Sequence, residues 1–136
     1  NMAMVAAAVA NDGVMQKPIL VKEVLSPQGR TVKTNRPETI SQVSSPETMI
    51  QLKHMMNRAV KEGTGRNARI RNVQVAGKTG TAENETKKPH AWFIGFAPVD
   101  IPKVAIAVVL ESEGRTGGEA AAPIARDIMI KALEKL

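Results

Sequence analysis

Gly77-Lys78-Thr79-Gly80-Thr81 is the stretch best equipped for chemistry, with one cation, two hydroxyls and two glycines in five positions. If this is a strand, Thr79 and Thr81 project to the same side. Their hydroxyls can then hold a carboxylate jointly, with the Lys78 ammonium beside them. Glycine is poor in strands unless another backbone or a ligand comes close. The missing side chain at Gly80 opens the strand edge to an extended peptide ending in a carboxylate, bound by strand addition. The plainer alternative is an edge strand carrying a solvated lysine.

Gly77-Lys78-Thr79 also ends a phosphate-binding loop of the form G-x-x-x-x-G-K-[ST]. That motif needs glycine at position 72, where this chain has Asn72. It also needs a loop before the lysine and a helix after it. Val73-Gln74-Val75-Ala76 reads instead as a strand, and Gly80-Thr81 follows. Gly114-Arg115-Thr116-Gly117-Gly118 precedes a helix and suggests an anion site at its N-terminus, but it has no lysine in place and is read as a flexible loop. No nucleotide cofactor is expected.

The elements that must position this stretch are legible in outline. Met2–Ala10 is apolar on every side and is expected to be a buried helix stopped at Asn11-Asp12-Gly13. Ile19–Leu25, the turn Ser26-Pro27-Gln28-Gly29 and Thr31–Thr34 read as a β-hairpin, and the polar segment to Ser44 as a loop. Ser45-Pro46-Glu47 opens a second helix with a capping hydroxyl, a proline at the first position and an acid in the first turn. Met49, Leu52, Met55, Met56, Ala59 and Val60 share its inner side, and His54 its polar side. After the basic loop Arg66–Asn72, strands are expected at Val73–Glu83, Ala91–Ala97 and Val104–Glu111. The links Asn84–His90 and Pro98–Lys103 are short enough for antiparallel neighbours. A last helix runs from Glu119 to about Lys135, with Ala121, Ile124, Ala125, Ile128 and Ala132 inward. The expected class is α+β, an antiparallel sheet with helices packed on it.

Composition narrows the function. The chain has 136 residues and no cysteine, which excludes disulfide scaffolds, thiolate metal sites and cysteine nucleophiles. Two distant histidines make no zinc site. The only aromatic residues are Trp92, Phe93 and Phe96, expected to fill the sheet–helix interface, so the core is otherwise aliphatic. Net charge is +6, concentrated in residues 53–88, with nine Lys/Arg against three Asp/Glu, and in residues 14–36. Such stretches suit nucleic acid, anionic membrane or acidic substrates, or are simply solvated surface. Single-strand nucleic-acid binders stack bases on aromatic side chains, and this basic region has none, so no nucleic-acid partner is expected.

Lys78-Thr79-Gly80-Thr81 resembles the Lys-Thr-Gly motif of penicillin-binding proteins and serine β-lactamases. The neighbourhood extends the likeness. Val75–Glu83 with Trp92-Phe93-Ile94-Gly95-Phe96-Ala97-Pro98 is similar to the transpeptidase domain of the monofunctional class B type. Met2–Gly13 resembles the helix after that family's second motif, and Gly118–Ile128 its C-terminal helix. The resemblance covers essentially the whole chain, in order.

The resemblance implies a D,D-transpeptidase that cross-links peptidoglycan stem peptides at D-alanyl-D-alanine through a serine acyl-enzyme, and that β-lactams acylate. Lys78 would be the electrostatic partner of the middle motif and of the substrate carboxylate. Thr79 and Thr81 would hydrogen-bond that carboxylate along the open edge at Gly80. The Thr81 backbone N–H would be half of the oxyanion hole. The family's nucleophile lies in Ser-x-x-Lys, and none of Ser26, Ser41, Ser44, Ser45 or Ser112 has lysine three places on. Ser-x-Asn is absent as well. The chain is therefore expected to be the C-terminal portion of a transpeptidase domain, inactive alone, whose partner is the nucleophile-bearing half of the same domain. Location at the extracytoplasmic face of the membrane follows from the resemblance alone. A catalytically silent lobe that binds a wall polymer or a protein partner is the alternative.

Overall fold

The computed structural model describes the chain except Asn1, Asn84, Thr86 and Lys87. The expected link Asn84–His90 thus lies partly outside the described residues. Helix α1 spans Met2–Ala10 and ends at Gly13, whose φ of 86° is the left-handed conformation that glycine adopts without a Cβ clash. Strand β1 is Val14–Gln16. Strands β2 (Glu23–Leu25) and β3 (Thr31–Thr34) form the expected hairpin. Strand β4, Thr39–Gln42, pairs antiparallel with β1. That corrects the expectation of a loop to Ser44: two very short strands with few apolar residues leave little periodicity to detect.

Helix α2 is Pro46–Lys61. Ser45 is its N-cap, with the Ser45 hydroxyl accepting from the Thr48 N–H. After a 3-10 turn at Arg66–Ala68 come β5 (Ala76–Ala82), β6 (His90–Ala97), β7 (Val104–Leu110) and helix α3 (Ala121–Leu133). The three strands form one antiparallel sheet in the order β5-β6-β7, so among the described residues the motif strand is an edge.

The sheet is covered on both faces. Ala91, Phe93 and Ala97 of β6 pack with Ile106, Val108 and the α3 residues Ala121, Ala122, Ala125 and Met129. Phe96 and Ala76 pack on the other face with Val9 and Ala10 of α1 and Met49 and Met56 of α2. Alternation along β6 thus sends Phe93 to one layer and Phe96 to the other, as expected for adjacent parity on a strand.

Three burial expectations are corrected. Helix α1 buries only one side, with Met2 and Val5 exposed. On α2, Met55 is 62% exposed while Asn57 is buried beside Met56. On α3, Ile124 and Ile128 face outward and the inner stripe is Ala121, Ala122, Ala125 and Met129. Alanines bring the helix axis close to the sheet. Apolar periodicity alone cannot separate that stripe from the isoleucine stripe about 100° away. His54 is exposed, as its polar face implied.

Candidate functional site

The motif strand is aligned by its partner. Lys78 sits opposite Ile94, Thr79 opposite Phe93, Gly80 opposite Trp92 and Thr81 opposite Ala91. Paired residues share a face, so Lys78 and Gly80 belong to the α1 side and Thr79 and Thr81 to the α3 side. The two glycines have different reasons. A Cβ at Gly77 would collide with the Phe93 ring, whereas one at Gly80 would meet only the Trp92 Cβ, at 3.3 Å. Gly77 is required by packing. Gly80 is packed less tightly, since a Cβ there would press on one side chain and on no backbone atom.

Lys78 is exposed, and its Nζ donates to the Thr79 carbonyl at 2.5 Å. Within a strand, alternate residues turn their N–H and C=O groups to the same edge. The Thr81 N–H therefore lies on the same edge as the Thr79 carbonyl that the lysine engages. Next to Lys78 is a pocket of ≈ 330 Å³ lined by Met2, Lys78, Thr79, Gly80, Trp92 and Ile94. It contains no serine. Trp92 is only half-buried and forms part of this wall, while Phe93 and Phe96 are fully buried. The expectation that all three aromatics fill the interface holds for the two phenylalanines.

Two residues that the sequence did not single out complete the site. The Thr64 hydroxyl, in the turn after α2, meets the Thr79 hydroxyl at 2.7 Å. The Asn57 side chain, buried on α2, donates to the Val75 carbonyl at 2.9 Å, one residue before β5 begins. Helix α2 thus holds the chain at Val75, and the turn after it holds the strand at Thr79. Spacing offers little signal for either contact, because both join residues 15 or more apart.

The loop before α3 closes against the same strand. Gly117 lies on the Trp92 and Gly80 carbonyls, and Asn67 Nδ2 donates to the Gly118 carbonyl at 2.8 Å. Thr116 and Glu119 make a reciprocal cap: the Thr116 N–H donates to Glu119 Oε2 at 3.1 Å, and the Glu119 N–H to Thr116 Oγ1 at 3.3 Å. Hydrogen bonds from the Thr116 hydroxyl and backbone N–H, with the nearby Arg115 charge, hold the Glu119 carboxyl below its ordinary 4.5. The chain's own carboxylate thus fills the position at which an anion was considered. Among the described residues no group of three or more His, Asp or Glu is placed to hold a metal.

The site is an open strand edge with an ammonium on one side and paired hydroxyls on the other. It can align an extended peptide by its backbone and offers hydroxyls and an ammonium to a terminal carboxylate. None of the residues lining its pocket is a serine.

The penicillin binding protein transpeptidase domain family matches residues 1–130. The chain is 42% identical, over 98% of its length, to the peptidoglycan D,D-transpeptidase PbpA of Mycolicibacterium smegmatis, and spans 28% of that relative. It superposes on the crystal structure of PBPA from Mycobacterium tuberculosis with a TM-score of 0.89 and 38% identity, covering 96% of this chain and 33% of that one. The same relative captured as a ceftriaxone acyl-enzyme complex superposes with a TM-score of 0.87 at 38% identity, covering 96% of this chain and 31% of that one.

Proposed function

The chain belongs to the penicillin-binding protein transpeptidase family, and from that membership we propose that it forms the substrate-binding wall of a peptidoglycan D,D-transpeptidase. The observation that carries this reading is the Lys78-Thr79-Gly80-Thr81 strand on a sheet edge that is free among the described residues, with the Lys78 ammonium beside the strand and a pocket walled by Gly80 and Trp92. A stem peptide ending in D-alanyl-D-alanine lies along that edge. Thr79 and Thr81 hydroxyls bind its terminal carboxylate, and Lys78 supplies positive charge.

A serine from a preceding segment of the same protein attacks the carbonyl between the two D-alanines. The carbonyl oxygen becomes an oxyanion, stabilised by the Thr81 N–H, and the terminal D-alanine leaves as the acyl-enzyme forms. The amine of a second stem peptide then attacks the ester and releases the serine. An oxyanion-hole donor acts only where charge develops, and losing one costs about 3 kcal/mol of transition-state stabilisation. β-Lactams present a strained amide in the same place and stop at the acyl-enzyme.

Two features leave room for a further portion of the domain against this one. Strand β7 is a seven-residue apolar strand, and β6 is its only partner among the described residues. Such an edge invites another strand. Met2 and Val5 of α1 are exposed apolar side chains beside that sheet. Among the described residues no helix is long and apolar enough to cross a membrane. Placement of the catalytic domain at the extracytoplasmic face is part of the proposal.

Fluorescent penicillin tests the division of roles. Residues 1–136 alone should form no covalent adduct, and the complete protein should label at a serine outside this chain. Stable labelling of any serine among Ser26, Ser41, Ser44, Ser45 and Ser112 would overturn it.

A further inference from the structure

The β2–β3 hairpin does not belong to the site or to the sheet core. Every residue of both strands is exposed, so neither face is covered by another layer. The two strands make a sheet of their own, with both outer edges unpaired among the described residues. A two-stranded hairpin by itself is marginally stable in water. Its base is fixed only locally, by the Asn35 N–H donating to the Lys22 carbonyl at 2.8 Å and Asn35 Nδ2 donating to the Val21 carbonyl at 2.6 Å.

The hairpin is apolar and cationic together. Leu20 is 97% exposed, and Val21, Val24, Leu25 and Val32 are exposed around it. Lys17 is paired with Glu38, but Lys22, Arg30, Lys33 and Arg36 have no ion-pair partner among the described residues. Three of those cations lie on or beside β3. At the base, a pocket of ≈ 450 Å³ is lined by Ile19, Leu20, Val21 and Arg36, among others. Exposed apolar side chains gathered on one hairpin mark an interaction site, and uncompensated charge selects the partner's sign.

We propose that the β3 edge is a docking site for an extended, acidic segment of a partner protein. Its backbone adds as a third strand along Thr31–Thr34. Its carboxylates lie on the Lys33 face of β3, with Arg30 and Arg36 flanking the strand ends, and its alternate apolar side chains cover Val32 on the other face and reach the pocket at Leu20 and Val21. A free edge and a concave base favour a peptide over a flat anionic bilayer, which makes no ladder hydrogen bonds. This docking is independent of the catalytic reading, because the hairpin shares no residue with the motif strand.

The test uses the complete protein and a labelled peptide of about ten residues alternating Glu and Val, a length suited to one strand. Three controls accompany it: a Lys/Val peptide, a block-ordered peptide of the same Glu/Val composition, and anionic phospholipid vesicles. The alternating acidic peptide should bind, weaken about tenfold in K33E/R36E and with rising salt, and slow amide exchange at residues 31–34. Penicillin acylation should be unchanged in K33E/R36E, which shows that the variant is folded. No binding by the alternating peptide would overturn the proposal. So would equal binding by the block-ordered peptide, no protection of 31–34, or binding to vesicles alone.

Discussion

The hydroxyls of Thr64 and Thr79 meet at 2.7 Å, joining the turn after α2 to the motif strand across 15 residues of sequence. One hydroxyl must donate and the other accept. In the proposed role Thr64 donates and Thr79 keeps its own proton for the substrate carboxylate, so Thr79 is aimed before substrate arrives. Preset geometry of this kind lowers the ordering cost of binding.

Replacing Thr64 by Val should remove that partner while keeping the side-chain shape. A hydrogen bond of this type contributes about 1 kcal/mol, so acylation of the complete protein by a β-lactam should slow about fivefold. Thr64→Ser should restore most of the rate. Equal rates in T64V and the parent, with equal melting temperatures, would remove Thr64 from the site.

Asn57 acts through structure. Its Nδ2 is the donor to the Val75 carbonyl, and Asn57 is itself buried. Asn57→Ala strands that acceptor and should cost about 1–3 kcal/mol in urea unfolding of the complete protein. Acylation of the remaining folded protein should fall too, because the carbonyl lies immediately before β5. Unchanged stability would show that water satisfies the carbonyl.

The Thr116–Glu119 cap makes a pH prediction. The Glu119 carboxyl is held below 4.5, first by the Thr116 hydroxyl, then by the Thr116 backbone. A depressed folded value means that the ion favours the fold. Its contribution is present above the unfolded value and fades as pH falls through the folded one. Glu119→Gln should therefore lower the melting temperature at neutral pH and narrow the gap to the parent below about pH 4. A gap that is constant from neutral to acid pH would contradict the cap.

What could be read in the sequence was what rests on local chemistry. Ser45-Pro46 marked the start of α2, Gly13 the end of α1, and the Ser26–Gly29 turn the hairpin. Phe93 and Phe96 fell on opposite faces by strand alternation alone. What escaped depends on distance in three dimensions. β1 and β4 are three and four residues long and stabilise each other across the hairpin, so neither has a pattern of its own. Asn57 carries no local sign of its burial, and only the position of Val75 explains it. The α3 isoleucines are more apolar than its alanines, yet close packing on Phe93 and Ala91 selects the smaller side chains. Lys78, Thr79, Gly80 and Thr81 stood out as a candidate site because glycines on both sides of a lysine are unusual in a strand. Thr64 did not, because one threonine in a glycine-rich turn carries no local sign of its partner.

Lys78 tests the central claim most directly. The second-order rate of acylation by a β-lactam should be measured in the complete protein and in its Lys78→Ala variant, with melting temperatures as the control. Loss of a preorganised electrostatic partner of this kind should slow acylation by about 10²–10³-fold at an unchanged melting temperature. An unchanged acylation rate in the folded variant would contradict the assignment of this strand to the substrate.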